Sequence, residues 1–340
     1  MHKRLLMFMI VVLIAITVGF ATLAQDVDTP TPAPSKTPAP PSPTSVATDT
    51  PTLVASTETP SSNNLRRYLQ SDLQILVGNV QRPNGIVWFN DNLYAACNGD
   101  FTLYEIDSVT GSTITFSSGV RDINTLWIEE LDNGFNIWLP DFDTNQLLRA
   151  DHLRGLPTVV INENLDGPWG IAYLDDSNFL ITNALSNNIV LANRDGTSNI
   201  IMDGLRYPTG IVVDSNKAYV ANRGSARRAI EWFDVTALDP ETISDELTRP
   251  LVSGLQNVSN LVLADDGYLY FTYALAERGV VGRVNPDACR DGGCTNEEVE
   301  IVILTDGRTA PLAGLTISDD MRLFVHTVYD SEIFWVQLYD

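Results

Sequence analysis

The chain has 340 residues, 43 acidic against 21 basic side chains, a net charge of −22 and three cysteines. That excess of acid excludes nucleic acid as the main partner, because phosphate binding needs clustered lysine and arginine. A hydrophobic content of 44% excludes wholesale disorder.

Residues 1–24 are the first element. Lys3 and Arg4 precede an uncharged apolar run from Leu5 to Ala24, the basic-then-apolar pattern of an export segment. Two outcomes are open. The segment is cleaved after Ala21 or Ala24, or it stays as an N-terminal membrane anchor, since a bilayer takes about 20 apolar residues. Both put the rest of the chain outside the cytoplasm, with membrane contact only through residues 5–24. Residues 25–65 follow as a spacer. Nine of the chain's 18 prolines and nine threonines lie between positions 26 and 64, with no glycine and no aromatic residue. Such a stretch cannot bury a core and is expected to be a disordered, extended stalk.

Residues 66–340 read as one domain of repeats. Six apolar runs open alike: NGIVWF at 84, NTLWIE at 124, WGIAYL at 169, TGIVVD at 209, SNLVLA at 259 and AGLTIS at 313. Their openers are Gly85, Asn124, Gly170, Gly210, Asn260 and Gly314, at intervals of 39 to 54 residues. Each run leads through an Asp-, Asn- or Gly-rich turn into a second strand, then a third. From opener to the end of the second strand is 12 or 13 residues in five repeats and 17 in the second. Runs this short, rich in β-branched and aromatic residues between turn signals, are strands. A fourth strand closes five of the units, starting at 113, 158, 199, 249 and 300. The sixth lacks one, while an unassigned strand, QILVG at 74–78, precedes the first opener. That N-terminal strand should complete the last unit and close a ring, which removes open strand edges.

The pattern predicts an all-β chain, a six-bladed β-propeller of four-stranded blades. The repeat, apolar strand then Asp/Asn/Gly turn then apolar strand, resembles NHL-repeat and gluconolactonase-like propellers within the TolB-like six-bladed group. The resemblance spans roughly 66–340 and implies the fold more than any activity. It also implies a metal held by acidic and amide oxygens on the loop face. The gluconolactonase signature starts with Glu-Gly-Pro at the first blade's entry; here Pro83-Asn84-Gly85 stand there.

Ligands of propellers sit over the channel, on the face made by the loop entering strand one and the loop leaving strand two. The entry column holds Asn84 and Trp169, and the exit column holds Cys97, Asp141, Asn183, Asn222, Tyr273 and Thr327. Candidate ligand-binding residues are Asn84, Asp141, Trp169, Asn183, Asn222, Arg223, Tyr273 and Thr327. Asp141, Asn183 and Asn222 are hard oxygen donors, so a calcium or other divalent site is expected from them. The competing expectation is that these polar residues satisfy loop backbone groups. Arg223, Arg227 and Arg228 reverse the local sign of charge. Either they form a solvated, paired loop or one of them clamps a ligand carboxylate. Phe142, Trp169, Tyr273 and Tyr329 lie in or beside the same loops, where aromatic rings stack on sugars or pack between blades. His152 and His326 are the domain's only histidines, and no nucleophile motif joins them. Asp175-Asp176, Asp265-Asp266 and Asp319-Asp320 fall in turns between strands one and two. Cys289 and Cys294 bracket RDGG and are expected to form a disulfide; Cys97 is left buried or lining the channel.

The expected function is an extracytoplasmic binding or scaffold module, secreted or tethered. It takes a small-molecule, sugar or protein ligand on the loop face and acts as a monomer. The alternative is a metal-dependent hydrolase resembling the gluconolactonases. A third, structural reading is a stalked surface protein whose propeller contacts another protein.

Overall fold

Alternating apolar residues between turn signals bury one side of each strand, and most strands within a blade follow one another by short hairpins. The computed structural model describes residues 65–244, 247–306, 312–327 and 329–339. The expected export segment, and all of the expected stalk but residue 65, lie outside the described residues. Two strands precede the first repeat, β1 (Tyr68–Leu69) and β2 (Gln74–Val77). Blade one is β3 (Pro83–Phe89), β4 (Asn92–Cys97), β5 (Thr102–Asp107) and β6 (Thr113–Ser118). Blade two is β7 (Trp127–Leu131), β8 (Gly134–Asp141), β9 (Gln146–Asp151) and β10 (Thr158–Ile161). Blade three is β11 (Pro168–Tyr173), β12 (Asn178–Asn183), β13 (Asn188–Asn193) and β14 (Ser198–Met202). Blade four is β15 (Pro208–Asp214), β16 (Lys217–Asn222), β17 (Ile230–Asp234) and β18 (Arg249–Val252). Blade five is β19 (Leu261–Leu263), β20 (Leu269–Leu275), β21 (Arg278–Val284) and β22 (Glu300–Leu304). Blade six supplies β23 (Leu312–Ile317), β24 (Arg322–Thr327) and β25 (Ile333–Gln337).

The chain is thus a six-bladed propeller. Strand β2 pairs antiparallel with β25, with Gln74 opposite Trp335 and Ile75 opposite Phe334, and so gives blade six its fourth strand. Two features go beyond the repeat pattern. Strand β1 runs parallel to β22 and adds a fifth strand to blade five. A short helix, α1 (Pro286–Arg290), fills the loop between β21 and β22. Its start is local: Asn285 accepts from the backbone N–H groups of Asp287 and Ala288, and proline takes the first turn. The Cys289–Cys294 disulfide ties this helix to the returning loop. Among the described residues no helix is long and apolar enough to cross a membrane.

The core is six apolar wedges, one between each pair of neighbouring blades. At the closing seam, Val77, Phe324 and Ile333 pack against Ile86, Leu93 and Ile106. Above the wedges, the strand ones converge and each blade's entry carbonyl accepts a hydrogen bond from the blade before it. Gly85 N–H donates to Ile123 O at 2.7 Å, Thr125 Oγ1 to Trp169 O at 2.7 Å and Thr182 Oγ1 to Thr209 O at 2.6 Å. Gly210 N–H donates to Ser259 O at 2.7 Å and Asn260 Nδ2 to Ala313 O. His326 Nε2 closes the ring on Asn84 O at 2.7 Å. The convergence explains the opener glycines. A Cβ on Gly85 would lie 2.9 Å from Ile123 O, and one on Gly210 would lie 2.7 Å from Leu261 N. His326 stands where four of the other repeats carry alanine or threonine, and its longer side chain reaches the Asn84 carbonyl of blade one directly.

Candidate functional site

The loop face is built from the entry of each strand one and the exit of each strand two. Pro83 pairs with Cys97, Pro168 with Asn183 and Pro208 with Asn222, and each pairing is followed by a register shift before the next matched pair. The entry residues Asn84, Trp169 and Thr209 therefore stand in bulges, which re-aim side chains. Neighbouring loops interlock through asparagines in left-handed conformation, a geometry asparagine tolerates. Asn145 (φ 55°) accepts from Gly167 N–H at 2.8 Å, and Asn187 (φ 62°) accepts from Tyr207 N–H at 2.7 Å.

These loops bring together one aromatic and cationic cluster from blades two, three and four. Trp169 meets Phe142 edge to face, with centroids 5.8 Å apart. It meets Tyr207 at 6.1 Å and 70°. The Arg223 guanidinium lies 5.8 Å from the Trp169 ring and 6.0 Å from the Tyr207 ring. Arg223 is exposed, and among the described residues it has no carboxylate within ion-pair reach. Three buried polar atoms in these loops lack a hydrogen-bond partner: Trp169 Nε1, Thr144 Oγ1 and Ser186 Oγ. The cluster offers flat apolar faces and one cation, beside buried polar atoms that no described protein group satisfies.

Of the candidate residues, Trp169 and Arg223 share this cluster and the others do not. Asp141 is buried and spends its carboxylate on loop backbone: Oδ1 accepts from the N–H groups of Asp143 and Thr144, and Oδ2 from that of Arg121. Asn183 Oδ1 accepts from Asp166 N–H, while its Nδ2 donates to Asn164 O and to Asn188 Oδ1. Asn222 Oδ1 accepts from Arg206 N–H, and its Nδ2 donates to Arg228 O and to the Glu231 carboxylate. The three share no hydrogen-bonding partner; each clamps its own blade's loops. Among the described residues, no group of three or more His, Cys, Asp or Glu side chains gathers into a cation site. Asn84 Nδ2 donates to Asp122 and Asn124. The Asp122 carboxyl is pushed up by burial and by the charges of Asp143 and Asp141, against the two asparagine amides that lower it. Thr327 Oγ1 donates to Asp330. Tyr273 is buried in the wedge between blades four and five beside Phe271, and burial raises its pKa.

The rest of the arginine loop divides. Arg228 pairs with the buried Glu231 carboxylate and donates to Thr248, while Arg227 is exposed. Cys97 is buried and its thiol is pushed well above the ordinary range, chiefly by desolvation. Tyr207 was not among the expected residues. It lies two positions before the entry column, and its only sequence signal is the aromatic ring ahead of Pro208. Its φ of 52° is left-handed, a conformation that costs a bulky residue free energy and clusters at functional loops.

No protein-family profile and no curated protein matches the chain. Solved structures do match in fold. One is titled a streptogramin B lyase structure, at 16% identity and TM-score 0.55, covering 77% of this chain and 96% of that one. Virginiamycin B lyase from Staphylococcus aureus matches at 17% identity and TM-score 0.51, covering 75% and 81%. A PQQ-bound aldose sugar dehydrogenase from Streptomyces coelicolor matches at 13% identity and TM-score 0.53, covering 77% and 96%. A nidogen/laminin complex matches at 16% identity and TM-score 0.51, covering 66% and 85%. At such identities the likeness shows the propeller fold.

Proposed function

We propose that the chain is an extracytoplasmic binding module. Its loop face takes a small-molecule or sugar ligand that carries a carboxylate on a ring. The observation that carries this reading is Arg223: an exposed guanidinium without a carboxylate partner, set against the Trp169 and Tyr207 rings, in a chain of net charge −22. Arginine's planar fork matches a carboxylate in two parallel hydrogen bonds. The Trp169 and Tyr207 rings supply flat apolar surface for the ligand's ring, and the unpaired Trp169 Nε1 is a ready donor. The Cys289–Cys294 disulfide supports an oxidising location, as does the export pattern of residues 1–24. The propeller of the nidogen/laminin complex supports the general idea that such a body binds partners.

The metal-dependent hydrolase reading asks for free oxygens at Asp141, Asn183 and Asn222. Loop backbone N–H groups already occupy all three side chains, so the binding reading is the better supported. A panel of uronic-acid oligosaccharides, aromatic carboxylates and their neutral counterparts tests it. The expected result is saturable binding to acidic ring compounds, lost in Trp169→Ala. Equal binding to neutral and acidic members, or no binding in the panel, would sink the proposal.

A further inference from the structure

Below the ring of entry carbonyls the channel widens into a cavity of about 360 Å³, within the range of small-molecule sites, about 300–1,000 Å³. It runs from the opener level, at Gly210 and Asn260, to the far ends of the strand ones, at Trp127, Tyr173, Val213 and Leu263. None of the loop-face cluster lines it. The opener ring narrows the channel at the loop face, since the strand ones meet there backbone to backbone. The cavity is therefore reached from the opposite face.

Its wall is mostly hydrocarbon. Its polar side chains are already engaged between strands: Thr125 Oγ1 donates to Trp169 O, Thr316 Oγ1 accepts from Trp88 N–H and Asn260 Nδ2 donates to Ala313 O. One side-chain donor among the lining residues makes no hydrogen bond at all. Trp127 Nε1 is buried and has no hydrogen-bond partner. A buried indole N–H without an acceptor is costly, and a water needs two to four polar partners to be held well. Trp127 lies nearly parallel to Tyr173 at the mouth, 22° between planes.

We infer that this cavity is a second ligand site, separate from the loop face. It takes an uncharged, flat, largely apolar molecule with a carbonyl acceptor for Trp127 Nε1. Prodan, a neutral naphthalene with a single ketone, is a fitting probe, and its emission shifts to the blue on leaving water. Titrated with the full chain, it should show saturable one-site binding with a blue shift. Trp127→Phe keeps an aromatic wall and removes the donor. It should weaken binding about two- to tenfold, the worth of one hydrogen bond. Val213→Trp narrows the mouth and should abolish binding, with the circular-dichroism spectrum and melting curve of the wild type as the check on folding. Arg223→Ala should leave Prodan binding unchanged, which separates this site from the loop face. No saturable binding by the wild type would overturn the inference, as would binding that survives both Val213→Trp and Trp127→Phe undiminished.

Discussion

Arg283 offers a stringent test of how the ring is locked. Its side chain is fully buried. Nε donates to Glu300 at 2.9 Å, and Nη1 donates to Asp266 at 3.2 Å and to the hydroxyls of Tyr270 and Tyr339. The guanidinium also lies 4.0 Å from the centroid of the Tyr268 ring. This joins the strand-one turn of blade five to the residues that follow β25 in blade six. Replacing Arg283 with methionine keeps most of the volume and removes the charge. Breaking a buried ion pair costs about 3–5 kcal/mol. The lower end applies here, because Glu300 is half exposed and its share is screened. Asp266 also keeps the Tyr270 and Tyr339 hydroxyls and the Tyr268 N–H as donors. The expected loss is about 3 kcal/mol, or a fall in melting temperature of about 6 °C at about 2 °C per kcal/mol for a domain of this size. Urea denaturation with unchanged slope is the assay. A loss below about 1 kcal/mol would refute the view that this network locks blade five to the chain end.

Three further predictions come from the same geometry. Burial lowers the His326 pKa below its ordinary value of 6.5, against the two carbonyls that raise it. The unfolded chain then takes up the proton more readily, so this contribution to stability is whole above about pH 6.5 and is lost as pH falls. The denaturation midpoint should drop between pH 7 and pH 5, and His326→Gln should flatten that drop; an unchanged slope would count against the seam role. Gly210→Ala forces a Cβ to 2.7 Å from Leu261 N and should cost about 1–3 kcal/mol in urea titrations, as overpacking does; a neutral effect would mean the blades can part there. Asp141→Ala strips three loop N–H groups of their acceptor and should cost about 2 kcal/mol. Calcium should leave the wild-type melting temperature unchanged, and a calcium-dependent rise that Asp141→Ala abolishes would contradict the loop-clamp role.

The architecture was legible because it repeats. Six openers with a near-fixed distance to the end of strand two leave little room for another fold, and the stray strand at Gln74–Val77 has one unfilled place to go. The pairing of Tyr68–Leu69 with blade five was not legible, since a two-residue strand has no period to read. The site was legible by position but not by role. Asparagine and aspartate suit both cation binding and loop clamping, and the choice depends on whether backbone N–H groups already point at their oxygens. Asp141, Asn183 and Asn222 resolve that way only in three dimensions. Trp169 and Arg223 were found by column and by sign of charge. Tyr207 was missed because the entry column was read one residue deep, whereas the cluster draws on the residue before Pro208 as well.

The loop-face reading rests on Arg223, and the same loop supplies its control. Arg227 is exposed four residues away and makes no contact with the aromatic cluster among the described residues. Calorimetric titration of one acidic ring compound from the panel into Arg223→Gln and Arg227→Gln would compare the two. Removing a hydrogen-bonded charge pair should weaken binding by about tenfold or more in Arg223→Gln, with Arg227→Gln close to the wild type. Equal weakening in both variants would mean the loop attracts acids by charge alone and would contradict a built site at Trp169, Tyr207 and Arg223.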